Sequence, residues 1–232
     1  MTTTLAPPHT AQRRDTRTFR RVAAAVLLPF GPLCVAILRG ILPYYTDDTS
    51  QEMLDHTAAD LGRMDAVVWL GLLAALTLVP SALAAARLAQ RRAPLLSLIG
   101  VTLLVAGYLA LPLVANDILL RAAADLDRPV GVQLLDSTNA YGAVAVAGLL
   151  FVAGHILGLI LLGVALWRAG AIPAWAAIAL IVSQPLHAVF AVVVPNHALD
   201  AAAWGLTALG LLVAAIRVLR TTDNDWDLGP TA

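Results

Sequence analysis

Between residues 22 and 218 the chain is dominated by long apolar runs, with none of the alternation that marks a surface strand or a half-buried helix. An α-helix rises about 1.5 Å per residue, so roughly 20 apolar residues cross the hydrocarbon of a bilayer. Six segments meet that length: Val22 to Leu42, Ala66 to Ala86, Pro94 to Ala115, Tyr141 to Trp167, Pro173 to Val194, and a shorter one from about His197 to Val218. Asp200 trims the apolar part of the last to Ala201 through Ile216. The first run is long enough to span and lacks a small-residue cleavage site, so it reads as a permanent helix and not a signal peptide. The pattern predicts an all-α polytopic membrane protein, a six-transmembrane-helix bundle with short external amphipathic helices. Residues 1–21 and 219–232 read as tails, the first expected to be disordered.

Short connections join spans two to three, four to five and five to six, which makes consecutive helices antiparallel neighbours. The other loops are longer and carry structure of their own. Thr49 and Glu52 have capping-box spacing and open a short helix through about Leu61, with Leu54, Ala58 and Leu61 on one side. A second short helix is expected from Ile118 toward Asp125, ahead of Pro129. A shift of 79 residues lays the loop before Pro94 near the loop before Pro173 and Tyr108 on His187, a faint parallel repeat of two hairpins.

Composition agrees with the pattern. Hydrophobic residues make up 59% and charged residues 13%, against about 45–50% and 25% in soluble domains. All fifteen basic residues are arginine and the net charge is zero, so neither nucleic acid nor a polybasic lipid anchor is indicated. The arginines orient the bundle. Eleven of them (Arg13, Arg14, Arg17, Arg20, Arg21, Arg87, Arg91, Arg92, Arg168, Arg217 and Arg220) fall on one face, and only Arg39, Arg63, Arg121 and Arg128 on the other. The first face is expected to be cytoplasmic, with both termini inside and a plasma-membrane location. Lone Cys34 excludes an intrachain disulfide and fits a small core residue.

Polar side chains kept within a span normally face the bundle or a wet cavity, which makes them the functional leads. His155 and Gln184 lie near the middle of the fourth and fifth spans, and His187 is one turn from Gln184 on the same face. Pro185 lacks the N–H that would reach the carbonyl of Ile181, so a kink is expected beside both polar side chains. Tyr108, Pro112 and Asn116 recur every four residues on the third span and climb to Asp117. Arg39 needs an anion, with Asp65 and Asp117 the candidates. Trp69 is a candidate ligand contact, although interfacial aromatics are commoner. His155 also lies between Gly154 and Gly158, a spacing that lets two helices approach closely. Outside the spans, Glu52, His56 and Asp60 recur at cation-binding spacing, but a solvated helix face is the better reading.

In layout the chain resembles uncharacterised six-span bacterial integral membrane families, with acidic outer loops followed by a segment like that from Gly154 to Trp175. The resemblance implies a fold and no activity. Three functions remain open on the residues. The first is binding or transport of a small or lipid-like ligand at Tyr108, His155, Gln184 and His187, with Asn116, Arg39 and Trp69 toward the mouth. The second is electron transfer through a b-type haem held by His155 and His187. The third is an intramembrane lipid- or isoprenoid-modifying enzyme using Asp117 or Asp65 as its acid.

Overall fold

The computed structural model describes residues 15–226, and every regular element among them is helical. In chain order these are α1 (Arg17–Ile41), α2 (Ser50–Ala59), α3 (Leu61–Ala89), α4 (Pro94–Val114), α5 (Asp117–Ala123), α6 (Arg128–Asn139), α7 (Gly142–Arg168), α8 (Ala174–Ala188), α9 (His197–Arg220) and α10 (Asp223–Trp226). A π-helical turn, Val189–Val193, continues α8. Six stretches are long and apolar enough to cross a membrane: Arg17–Ile41, Leu61–Ala89, Pro94–Ala123, Gly142–Arg168, Ala174–Val193 and His197–Arg220. The protein is therefore an all-α, multi-pass membrane bundle. Six crossings bring the first and last spans to one end of it, the terminal end. Helices α2, α5 and α6 close the opposite, capped end.

Each span packs on the next in sequence, and α1 also packs on α9, so the six form a closed ring, with α3 also touching α7 inside it. The pairs α4–α7 and α1–α9 share the most extensive contacts. Glycine explains the first. A Cβ placed on Gly154 would stand 2.6 Å from the Leu103 carbonyl oxygen, and one on Gly158 would stand 2.8 Å from the Leu104 backbone nitrogen. These residues thus serve the close approach that their spacing predicts. Leucine and valine side chains such as Leu72, Leu76, Leu98, Leu109 and Leu149 face outward, where lipid is their solvent. Trp167 and Trp175 are about half exposed at the terminal end, where interfacial tryptophans belong.

The cap has a core of its own, built from Leu38, Leu42, Leu54, Met64, Val67, Leu120, Ala123 and Leu135. Its rim is polar: Ser50 donates to Asp136 at 2.6 Å, Arg128 pairs with Asp55 at 3.0 Å, and Arg121 bridges Asp65 and Asp125 at 2.7 and 2.8 Å. The predicted capping box is present, with both of its reciprocal bonds made between Thr49 and Glu52. Helix α2 ends at Ala59, two residues early, because Asp60 caps α3 by accepting from the Arg63 N–H at 3.0 Å.

Other boundaries move for physical reasons. Helix α1 begins at Arg17, within the expected tail, because its first turns are anchored to α10: Thr18 and Arg21 both bond to Asp223. Arg87 also donates to the Trp226 carbonyl at 2.9 Å while its guanidinium lies 5.1 Å from that indole. The C-terminal tail is thus structured through residue 226. Arg13 and Arg14, two of the eleven arginines assigned to the cytoplasmic face, lie outside the described residues. Helix α6, with Pro129 in its first turn, was not legible as a helix, since its polarity resembles a loop. The sixth span is not the short one either: α9 runs for 24 residues, and Asp200 sits in its first turn as a buried, paired side chain and not as its limit.

Candidate functional site

Helices α7, α8 and α9 bring the mid-depth polar residues together, and α1 adds the charge that completes them. Asp200, on the first turn of α9, is 1% exposed. One of its carboxylate oxygens accepts from Arg39 Nε and the other from His187 Nδ1. A second arm of Arg39, Nη2, reaches Thr46 Oγ1 at 3.0 Å. The expected anion for Arg39 was Asp65 or Asp117. The structure corrects this: the partner is Asp200, because α1 packs against α9 around the ring. Asp65 instead accepts from Arg121, and Asp117 accepts from the Tyr44 hydroxyl at 2.6 Å. Burial, with the Asp117 carboxylate adjacent, pushes the Tyr44 phenol well above its ordinary pKa.

Below this ion pair the aromatic rings stack inward. The ring centroids of His187 and His155 are 5.7 Å apart and tilted by 59°. The Trp204 indole is 5.5 Å from His187 and 6.4 Å from His155, while Phe151 stacks on the far face of the cluster at 4.2 Å from His155. His155 Nδ1 bonds to the carbonyl of Phe151, one turn back on its own helix. One turn further along α8 and α9, Gln184 donates to Thr207 at 2.8 Å, Thr207 to Ser183 at 2.8 Å, and Ser183 to the Leu180 carbonyl at 2.9 Å. That chain uses each hydroxyl proton once.

Hydrogen-bond directions fix the tautomers. A carbonyl and a carboxylate only accept, so Nδ1 of each imidazole carries a proton in these bonds. His155 Nε2, Gln184 Oε1 and Trp204 Nε1 are buried without a partner. An unpaired buried polar atom costs about 1–3 kcal/mol, so three on neighbouring helices mark a place where something else supplies the bonds.

The remaining predicted residues fall elsewhere. Tyr108 is buried in the main core, where α4 meets α7. Asn116 donates to Asn139 at 3.0 Å at the start of the cap, and Trp69 is 66% exposed on α3, away from the cluster. Pro185, where a kink was expected, lies inside α8, and the regular helix gives way one turn later to the π-helical turn Val189–Val193. Such turns occur often at functional sites. Glu52, His56 and Asp60 do not converge: Glu52 caps α2, His56 bonds to Asp48 at 3.1 Å, and Asp60 lies beyond the helix as the cap of α3.

Haem is a poor fit to this site. A porphyrin would extend sideways from between its two axial imidazoles, and Phe151, 4.2 Å from His155, and Trp204, 5.5 Å from His187, already occupy the space around them.

Trp204 and Thr207 were missed as site residues, and Asp200 was read only as the residue that trims the sixth span. The signal was present: Asp200, Trp204 and Thr207 are spaced by four and three residues, one stripe of a helix. No protein-family model matches this chain, and the comparisons with curated proteins and with solved structures find no match.

Proposed function

We propose that this protein binds or transports a small or lipid-like ligand within the bundle, at the α7–α8–α9 cluster, with access from the capped end. The observation that carries this reading is the set of buried, unpartnered polar atoms, His155 Nε2, Gln184 Oε1 and Trp204 Nε1. Gln184 Oε1 accepts, as does His155 Nε2 in the neutral ring, so the preferred ligand presents donors or positive charge. Access from the capped end is supported by the polar column above the cluster: Tyr45 stacks on His197 at 4.2 Å, and Arg39, Asp200 and His187 follow inward. The arginine asymmetry supports a cytoplasmic terminal end.

The test is native mass spectrometry of detergent-purified protein for co-purified ligands, joined to thermal melting with amines, polyols and lipid extracts. The reading expects a bound species or a rise in melting temperature that His155→Gln and Gln184→Leu abolish. If the wild type carries nothing and no compound moves its melting, the reading falls.

A further inference from the structure

We infer that the α7–α8–α9 cluster takes the hydroxyl head of an uncharged long-chain alcohol, whose chain leaves the bundle sideways between α7 and α8 into the lipid. This rests on the ligand-binding reading of the same cluster and names the ligand class and its route.

Two of the unpartnered atoms have a polarity that no titration alters. The Leu180 carbonyl only accepts, so it takes the Ser183 hydroxyl proton; Ser183 then accepts from Thr207, and Thr207 from the Gln184 amide nitrogen. That direction orients the amide and leaves Gln184 Oε1 as an acceptor awaiting a donor. The Trp204 indole N–H is the converse, a donor without an acceptor. They sit on adjoining turns, since Thr207, which holds the Gln184 amide, follows Trp204 by three residues on α9. Both side chains are almost fully buried. An ammonium group has nothing to accept the indole proton, and a carboxylate or ester has nothing to donate to the amide oxygen. A hydroxyl does both and brings no charge to membrane depth, where Arg39 and Asp200 already pair with each other.

The packing of α7 on α8 supplies the route. Toward the terminal end the two helices touch: a Cβ on Gly163 would stand 3.2 Å from Leu180 Cβ and from Ile181 Cγ1. The face of α7 that bears Gly163 continues toward the cap as Leu159, Ile156, Val152 and Leu149, in steps of four and three. Leu159 is buried and Ile156 half-buried, but Val152 is 48% exposed and Leu149 71%. The facing stripe of α8 changes in the same direction, from buried Ala177, Leu180 and Gln184 through half-buried Ala188 to Val192, 56% exposed within the π-helical turn. The helices therefore part from the level of Gln184 toward the cap. The side chains that line the parted faces are apolar, which suits a hydrocarbon chain and not a solute arriving from water. Phe151, half-buried next to Val152 and stacked on His155, joins this gap to the cluster. The polar column sets the end from which the site is reached, and the gap sets the side.

The experiment places the full chain in lipid nanodiscs, adds a long-chain primary alcohol carrying a diazirine in its chain, and maps the photo-crosslinks by peptide mass spectrometry. The competitors are the unlabelled alcohol and the methyl ether and amine of equal chain length. The expected result is labelling of α7 and α8 at gap residues such as Val152 and Val192, displaced by the alcohol at a concentration about tenfold below that of the ether, which cannot donate. Trp204→Phe keeps a ring and removes the N–H, and should weaken binding by about the same factor. Val152→Trp, which fills the gap, should abolish displaceable labelling. The ligand series needs no variant and decides alone if the variants do not fold. Equal displacement by alcohol and ether would leave the polar atoms to water and overturn the assignment, as would labelling confined to other faces of the bundle. If the alcohol fails while an amine or polyol still gives a His155-dependent melting shift, the alcohol and its route are wrong and the ligand site stands. If no compound binds, both fall.

Discussion

The α4–α7 crossing allows a prediction whose sign reverses along a single helix. Gly154→Ala places a methyl group 2.6 Å from the Leu103 carbonyl oxygen and 3.0 Å from both the nitrogen and Cα of Gly107. All three neighbours are backbone, so no side chain can swing aside and the helices must separate by about 0.5–1 Å. A gap of that size forfeits about a quarter to a half of each dispersion contact it opens. Overpacking of this kind costs about 1–3 kcal/mol, and we place Gly154→Ala at the upper end because the backbone on both sides is fixed. Gly148, six residues earlier on α7, has nothing within 4 Å of a built Cβ. There alanine adds helix propensity and meets no obstacle, a gain of up to about 1 kcal/mol. Reversible unfolding in mixed micelles, or steric trapping in bicelles, measures both. Gly154→Ala should lower the folding constant by about 30- to 150-fold, while Gly148→Ala leaves it unchanged or raises it. Equal stability of Gly154→Ala and the wild type would refute the close-approach argument, and with it the account of why α4 and α7 form so extensive a contact.

Further outcomes follow from the polar contacts. Arg39→Ala strands the Asp200 carboxylate at membrane depth and should cost about 3–5 kcal/mol, as removal of one member of a buried pair does; Arg39→Lys should cost less in the same unfolding assay. Asp223→Asn should release α10, read as faster hydrogen exchange of residues 222–226. For the wild type the hydrogen bonds from Thr18 and Arg21 hold the Asp223 carboxyl below its ordinary 3.8. A depressed pKa gives stability that is complete above the unfolded value and is lost as pH falls through the folded one. The latch should therefore hold from neutrality to below about pH 4, and opening near pH 6 would contradict it. Single cysteines at Asp47 and at Gln90, in a Cys34→Ala background, should label oppositely in intact cells with an impermeant maleimide. Asp47→Cys should react from outside, and the reverse would invert the orientation.

The long-range placements were the part of this fold that a linear reading missed. Apolar run length gives the spans because lipid penalises any exposed backbone polar group, and the capping box and the glycine spacing are local patterns that need no tertiary knowledge. Arg39 could be recognised as needing an anion, but its partner lies 161 residues away. Choosing Asp200 over Asp65 or Asp117 requires knowing that α1 and α9 close the ring. Helix α6 failed for the opposite reason: with polar side chains at half of its positions, it is held by its contacts with α2 and α5, which no periodicity announces. Histidine and glutamine at mid-depth stood out because they are expensive there. Trp204 did not, since tryptophan is apolar enough to pass as core.

The two ends of the bundle differ in how completely their polar groups are satisfied, and this points to the capped end as the working one. Toward the terminal end, Ser81 donates to the Leu28 carbonyl at 2.7 Å, Ser97 to the Ala86 carbonyl at 2.8 Å, and Arg92 to the Ala169 carbonyl at 3.1 Å. Each ties one part of the bundle to another through a donor that has found its acceptor, and α10 adds its own contacts. By contrast Thr57 Oγ1, His155 Nε2, Gln184 Oε1 and Trp204 Nε1, the buried side-chain atoms without partners among the described residues, all lie from mid-depth toward the cap. The π-helical turn lies in the same half. Stability alone would favour filling those positions with leucine, because a half-satisfied buried network is worse than an apolar core. Their retention on three adjacent helices, beneath an ion pair that holds His187 in one tautomer, is what a binding site requires and a packing core does not.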